Sequence, residues 1–147
     1  MEAWRLEYFG NIDATGKRGN DADYDGDGVA NIIEYVTGTN PAVANAAENN
    51  ASQLSLIGPA SSASPLKFRV TLDSAAMNNP KVKITLQLTT GLVSWLSLTS
   101  RTGVSWSGLQ PDFAISQGDS TACIFTTTYT PQNTKKCFVR MKVEEVP

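Results

Sequence analysis

The chain has 147 residues, 41% of them hydrophobic and 18% charged, which is enough apolar material for one core. It contains no histidine, so Ser-His and Cys-His catalytic arrangements are excluded. The formal charge of −2 is unevenly spread, with eight acids against three bases in residues 1–41 and six acids against nine bases in residues 42–147. Neither part has a basic tract dense enough for nucleic acid or an apolar run long enough for a membrane span.

The first predicted element is a short helix over Glu2 to Gly10, with Trp4 and Tyr8 one turn apart and Phe9 beside them. EAWRLEYFG is amphipathic and is no secretory leader. The chain therefore reads as a module of a longer exported protein, located outside the cell or on its surface. Residues 11–20 form a polar, glycine-containing connection.

The stretch DADYDGDGVANIIEY comes next, with acids at alternate positions. Asp23, Asp25 and Asp27 can turn toward one another only around a positive charge. The EF-type spacing assigns ligand positions 1, 3, 5, 7, 9 and 12 to Asp23, Asp25, Asp27, the Val29 carbonyl, Asn31 (directly or through a water) and Glu34. Gly28 occupies the turn and Gly26 adds a second flexible point. An all-oxygen set points to calcium, because magnesium would leave a bidentate glutamate underused. A solvated Asp-Gly turn explains neither Glu34 nor the full register. A second helix is predicted from Asn31 to Val36, capped by Gly38 and stopped by Pro41. Trp4, Phe9, Ile32 and Val36 are expected to pack together or against the next domain.

From Ala42 to Pro65 the composition turns to Ala, Asn and Ser, which is linker chemistry interrupted by a candidate strand at Gln53 to Ile57. Alternating segments then recur at 66–72, 81–88, 94–100, 121–129 and 137–143, separated by turn signals. No periodic helix is expected after residue 41. The predicted fold class is mostly β, an antiparallel β-sandwich preceded by a short helix–calcium loop–helix motif. The expected domains are 1–41 for the helical calcium-binding motif, 42–51 for a linker and 52–147 for the sandwich. Calcium removal is expected to loosen residues 20–38 and spare the sandwich, which supplies no ligand.

DYDGDGVANIIEYVTGTNP resembles the single-loop thrombospondin type 3 and dockerin-like calcium motifs of large secreted bacterial proteins, in which a helix like Trp4 to Gly10 often precedes the loop. KITLQLTTGLVSW followed by KCFVRMKV is similar to the C-terminal β-sandwich of such proteins. Gly91 stands where that pattern has aspartate, and the second loop of a dockerin is absent from this sequence. The resemblance implies a secreted bacterial module.

Outside the loop, Glu48, Asp73, Asp112, Asp119, Glu144 and Glu145 are scattered rather than paired as a glycosidase requires. Gly103 and Gly108 lack the helix and lysine of a phosphate loop. No enzyme is expected. The partner classes that remain are a polysaccharide or cell-surface glycan, bound on exposed aromatics, and a protein. Trp106, among small polar residues, and Tyr129, at a strand end, are the candidate ligand-binding residues, whereas Trp95 is expected in the core. Cys123 and Cys137 permit one disulfide, with two buried free thiols as the alternative.

Overall fold

The computed structural model describes residues 1–44, 54–56, 66–108, 110, 113–117, 122–127 and 138–147. Alternation of apolar and polar residues gives the strands. These are β1 (Leu54–Leu56), β2 (Leu66–Thr71), β3 (Val82–Thr89), β4 (Leu96–Thr102), β5 (Ser105–Ser107), β6 (Phe113–Gln117), β7 (Ala122–Thr127) and β8 (Phe138–Glu145). Among the described residues they pair antiparallel into two four-stranded sheets ordered β1-β2-β7-β6 and β5-β4-β3-β8. The inward residues of β2 (Phe68 and Val70, with Leu72 just beyond) meet those of β3 (Val82, Ile84, Leu86 and Leu88) in a single core, so the architecture is an antiparallel β-sandwich. Each such side chain withdrawn from water contributes about 1.5–3 kcal/mol.

Among the described residues, three short helices accompany the strands: α1 (Glu2–Phe9), α2 (Asn31–Thr37) and α3 (Ser74–Met77), with one 3-10 turn at Gly16–Arg18. α2 ends as its sequence dictates: Gly38 takes a φ of 75°, a conformation costly for any side chain, and its N–H reaches the Glu34 carbonyl. α3 was not expected. It is a single turn, too short to show a period, and Asp73 caps it by accepting from the N–H groups of Ala75 (2.8 Å) and Ala76 (3.2 Å). The three-residue β5 and the strand β6 were likewise not expected.

A bulge opposite β3 changes the facing of β4. Leu86 pairs with Thr99 and Gln87 with Ser97, so Leu98 is the inserted residue and lies fully buried in the core. Trp95, expected on a core-facing strand position, instead lies just before β4 begins and is only half-buried. The Arg140 guanidinium lies 4.0 Å above its ring.

The helical motif shares the core of the sandwich. Val36 and Tyr35 of α2 belong to the same buried cluster as Phe68 and Leu86, and Met1 and Trp4 pack against it. The Trp4 ring meets Tyr8, Phe9 and Tyr35 at 5.4 to 5.5 Å. Asp73 N–H donates to the Val36 carbonyl (2.8 Å), and Asn79 donates to the Tyr35 hydroxyl (2.9 Å). A second tie joins the chain ends. Arg5, 4% exposed, donates to Asn20 and pairs with Glu145 at 3.1 Å, while Asn20 donates to the same carboxylate at 2.7 Å. Residues 1–41 thus differ from the sandwich in sequence character but are packed into its core. Among the described residues, no helix is long and apolar enough to cross a membrane.

Candidate metal centre

Residues 23–29 fold into a ladder in which each aspartate serves the backbone ahead of it. Asp23 accepts from the N–H groups of Gly26 (2.7 Å) and Gly28 (2.8 Å). Asp25 accepts from Asp27 N–H at 3.1 Å, and Asp27 from Val29 N–H at 2.8 Å. The turns between them require left-handed backbone at Gly26 (φ 83°) and Gly28 (φ 93°), which glycine adopts without a side-chain penalty. The result brings one oxygen from each of Asp23, Asp25 and Asp27 within 4.8 Å of the other two.

Asn31, at the start of α2, is 1% exposed and braces the loop from behind. Its Oδ1 accepts from Tyr24 N–H (3.2 Å), and its Nδ2 donates to the carbonyls of Lys17 and Gly19, both at 2.8 Å. The Asn31 and Ile32 N–H groups reach back to the carbonyls of Ala22 and Asn20. Tyr24 stacks on Phe9 with ring centroids 4.7 Å apart, joining the loop to α1.

Glu34 lies one turn into α2. Its side chain is fully buried, and among the described residues neither carboxylate oxygen has a partner at hydrogen-bonding distance, the Thr39 hydroxyl acting on it only as the smallest of the influences on its titration. The neighbouring Thr39 hydroxyl is engaged with that of Thr37 at 3.3 Å. Burial first, and then the charges of Asp25, Asp27 and Asp23, push its carboxyl up to about 7. Burial likewise raises the Asp25 carboxyl, whose Oδ2 is also buried and unpartnered, whereas the Gly28 N–H leads the interactions that lower Asp23. A buried carboxylate with no donor is costly unless a cation or a proton compensates it. The three aspartates form an all-oxygen cluster of the kind that suits a hard divalent cation, and Glu34, which lies outside that cluster, has a buried carboxylate that a cation or a proton would compensate. Val29, the remaining predicted ligand position, sits half-buried at an apolar crease with Ile33, Leu54 of β1 and Met141 of β8.

Trp106, on β5, is half-buried, packs against the core and has the Arg101 guanidinium 5.9 Å from its ring. Tyr129 and Cys137 lie outside the described residues. Cys123 is on β7, in register with Val70 and Gln117, and its pairing with Cys137 falls outside the described residues as well. The Arg5–Asn20–Glu145 clamp was not anticipated. A lone arginine on a short amphipathic helix gives no sign of a carboxylate 140 positions away.

No family model and no curated protein matches the chain. Among solved structures, a strand-swapped CTLA-4 from the duckbill platypus is similar over 64% of this chain and 82% of that chain, at 14% identity and a TM-score of 0.33. A likeness that loose carries no argument, and the class of the protein, an antiparallel β-sandwich bearing an acidic loop, rests on the strand order and the loop geometry alone.

Proposed function

We propose that the chain is a non-catalytic, calcium-binding accessory module of a secreted bacterial protein, acting outside the cell in carbohydrate binding or adhesion. The observation that carries the calcium assignment is Glu34, fully buried with two unpartnered oxygens behind three converging aspartates. Position 12 of an EF-type loop is where a glutamate closes the coordination shell with both oxygens. Asp23, Asp25, Asp27 and Glu34 would hold the ion together with the Val29 carbonyl. Asn31 braces the frame and stands at position 9 of the loop. Bound calcium supplies charge compensation and rigidity to a loop whose second half is the helix α2. Titration calorimetry of metal-free protein should record one site with a Kd on the order of 10⁻⁴ to 10⁻³ M, as in extracellular modules. Absence of calcium uptake contradicts the assignment.

Polysaccharide or cell-surface glycan is the proposed ligand class, tested by a glycan array run with and without calcium. A second reading is a calcium-stiffened structural spacer or a C-terminal protein-docking and anchoring module. The half-buried setting of Trp106 favours it, because a ring packed on the core offers less stacking surface to a sugar. Binding to no glycan on the array selects this second reading.

A further inference from the structure

The outer face of the β5-β4-β3-β8 sheet carries a groove of about 400 Å³, within the size range of small-ligand sites. Its lining includes Thr85, Gln87, Ser97, Thr99, Gln110 and Lys142. Thr85 and Thr99 are buried in its floor, the Thr99 hydroxyl donating to the Ser107 carbonyl (2.9 Å), and the Gln87, Ser97 and Gln110 side chains supply the donors and acceptors above them. Gln87 organises the centre. Its Nε2 donates to Ser97 Oγ (3.2 Å), and its Oε1 accepts from Arg140 Nε (2.9 Å). Arg140 is thereby held between an amide and the Trp95 ring, 4.0 Å from the ring centroid, and among the described residues its two terminal nitrogens have no hydrogen-bond partner. Such a guanidinium is fixed in place with its fork unused.

The charge of this face runs against that of the protein. Lys83, Arg140 and Lys142 stand against Glu144 alone, in a chain whose formal charge is −2. Lys142 is paired with Glu144 at 2.7 Å, but both are well exposed, so the pair is weak and readily exchanged for a ligand carboxylate. We propose that this groove, together with the Arg140 guanidinium that adjoins it through Gln87, binds an acidic polysaccharide, with Arg140 receiving a uronate carboxylate as a bidentate pair at the groove's edge and the Gln87, Ser97 and Gln110 side chains meeting the sugar hydroxyls. The proposal rests on the glycan reading above and places its site on β3, β4 and β8 rather than at Trp106. Three features select this ligand. One face of the Trp95 ring is taken by Arg140, which disfavours the flat stacking that a neutral crystalline polymer uses. The groove lacks the apolar pockets that peptide side chains require. The fixed guanidinium suits a planar carboxylate.

The test is calorimetry of the calcium-saturated protein with hyaluronan and galacturonate oligosaccharides, against neutral xylan and mannan oligosaccharides and polyglutamate. Each is run at about 0.05 M and about 0.5 M salt. The uronate oligosaccharides should bind, weaken several-fold at the higher salt, and lose about tenfold or more in affinity in Arg140→Ala and Gln87→Ala. Arg140→Lys should recover only part of the loss. Arg69→Ala, an exposed change on β2 of the other sheet, should leave binding unchanged. Uronate binding that ignores Arg140→Ala and Gln87→Ala, or equal binding of neutral oligosaccharides, overturns the site while the glycan reading stands. Binding of no oligosaccharide overturns both. Equal binding of polyglutamate reduces the face to simple ion exchange and also overturns the proposal.

Discussion

Without calcium, the buried Glu34 should make this protein less stable as the solution becomes less acidic. The ordinary glutamate value of 4.5 is raised to about 7 in the fold. The folded state therefore holds a proton there that the unfolded chain releases. Stability from this group is fully present below pH 4.5 and is lost as pH rises through about 7. At about 1.4 kcal/mol per unit, the loss is on the order of 3 kcal/mol. Asp23 and Glu145, both lowered, titrate below this window, whereas the Met1 amino group, lowered from 8.0 by its burial, adds stability as pH rises toward 8 and offsets part of the loss. The assay is urea unfolding in calcium-depleted buffer at pH 5 and pH 8. With a slope of about 1–3 kcal/mol per molar, the midpoint should fall by about 1–3 M at the higher pH. Saturating calcium should restore it, because the ion replaces the proton, and Glu34→Gln should flatten the metal-free profile. A metal-free protein that gains stability between pH 5 and pH 8 would refute the reasoning.

Three further outcomes are expected. Because Tyr35 and Val36 lie in the same core as the sandwich, chelation at pH 8 should lower the melting of the β-sheet circular dichroism signal, rather than loosening residues 20–38 alone; an unchanged sheet transition would show the two parts to be independent. Glu145→Gln should cost about 1–3 kcal/mol in urea unfolding at pH 7 by leaving the buried Arg5 partly uncompensated, a figure kept below that of a fully buried pair because Glu145 is about one-third exposed. That loss should shrink in acid as the Glu145 carboxylate is protonated in the parent protein, and a loss equally large at low pH contradicts it. Trp106→Ala should lower stability by about 2 kcal/mol, less than a fully buried tryptophan, because the ring packs on the edge of the core beside Arg101; an unchanged melting temperature would mark the ring as exposed.

What could be read from the sequence was chemistry at fixed spacing. The EF-type register names its residues one by one, and three of its carboxylates converge in the structure. The strands at 66–72 and 81–88 show their alternation openly and appear as β2 and β3 within a residue of the expected ends. The sequence did not disclose features that depend on distant partners or on a single inserted residue. The bulge at Leu98 reverses the facing of the residues before it, so Trp95, read as core, turns to the outer face beside Arg140. α3 is one capped turn, β5 is three residues long, and neither is long enough to display a period. Burial of Arg5 requires Asn20 and Glu145 together, and their meeting is a property of the tertiary fold alone.

The central claim is that Glu34 closes a calcium shell begun by the three aspartates. The most direct measurement is the crystal structure of the protein grown with calcium, with anomalous data to locate the ion. The account predicts one ion bound by Asp23, Asp25, Asp27 and the Val29 carbonyl, with both oxygens of Glu34 completing the shell. An ion resting on the outer aspartates with Glu34 still buried and apart, or no ion at saturating calcium, would contradict it.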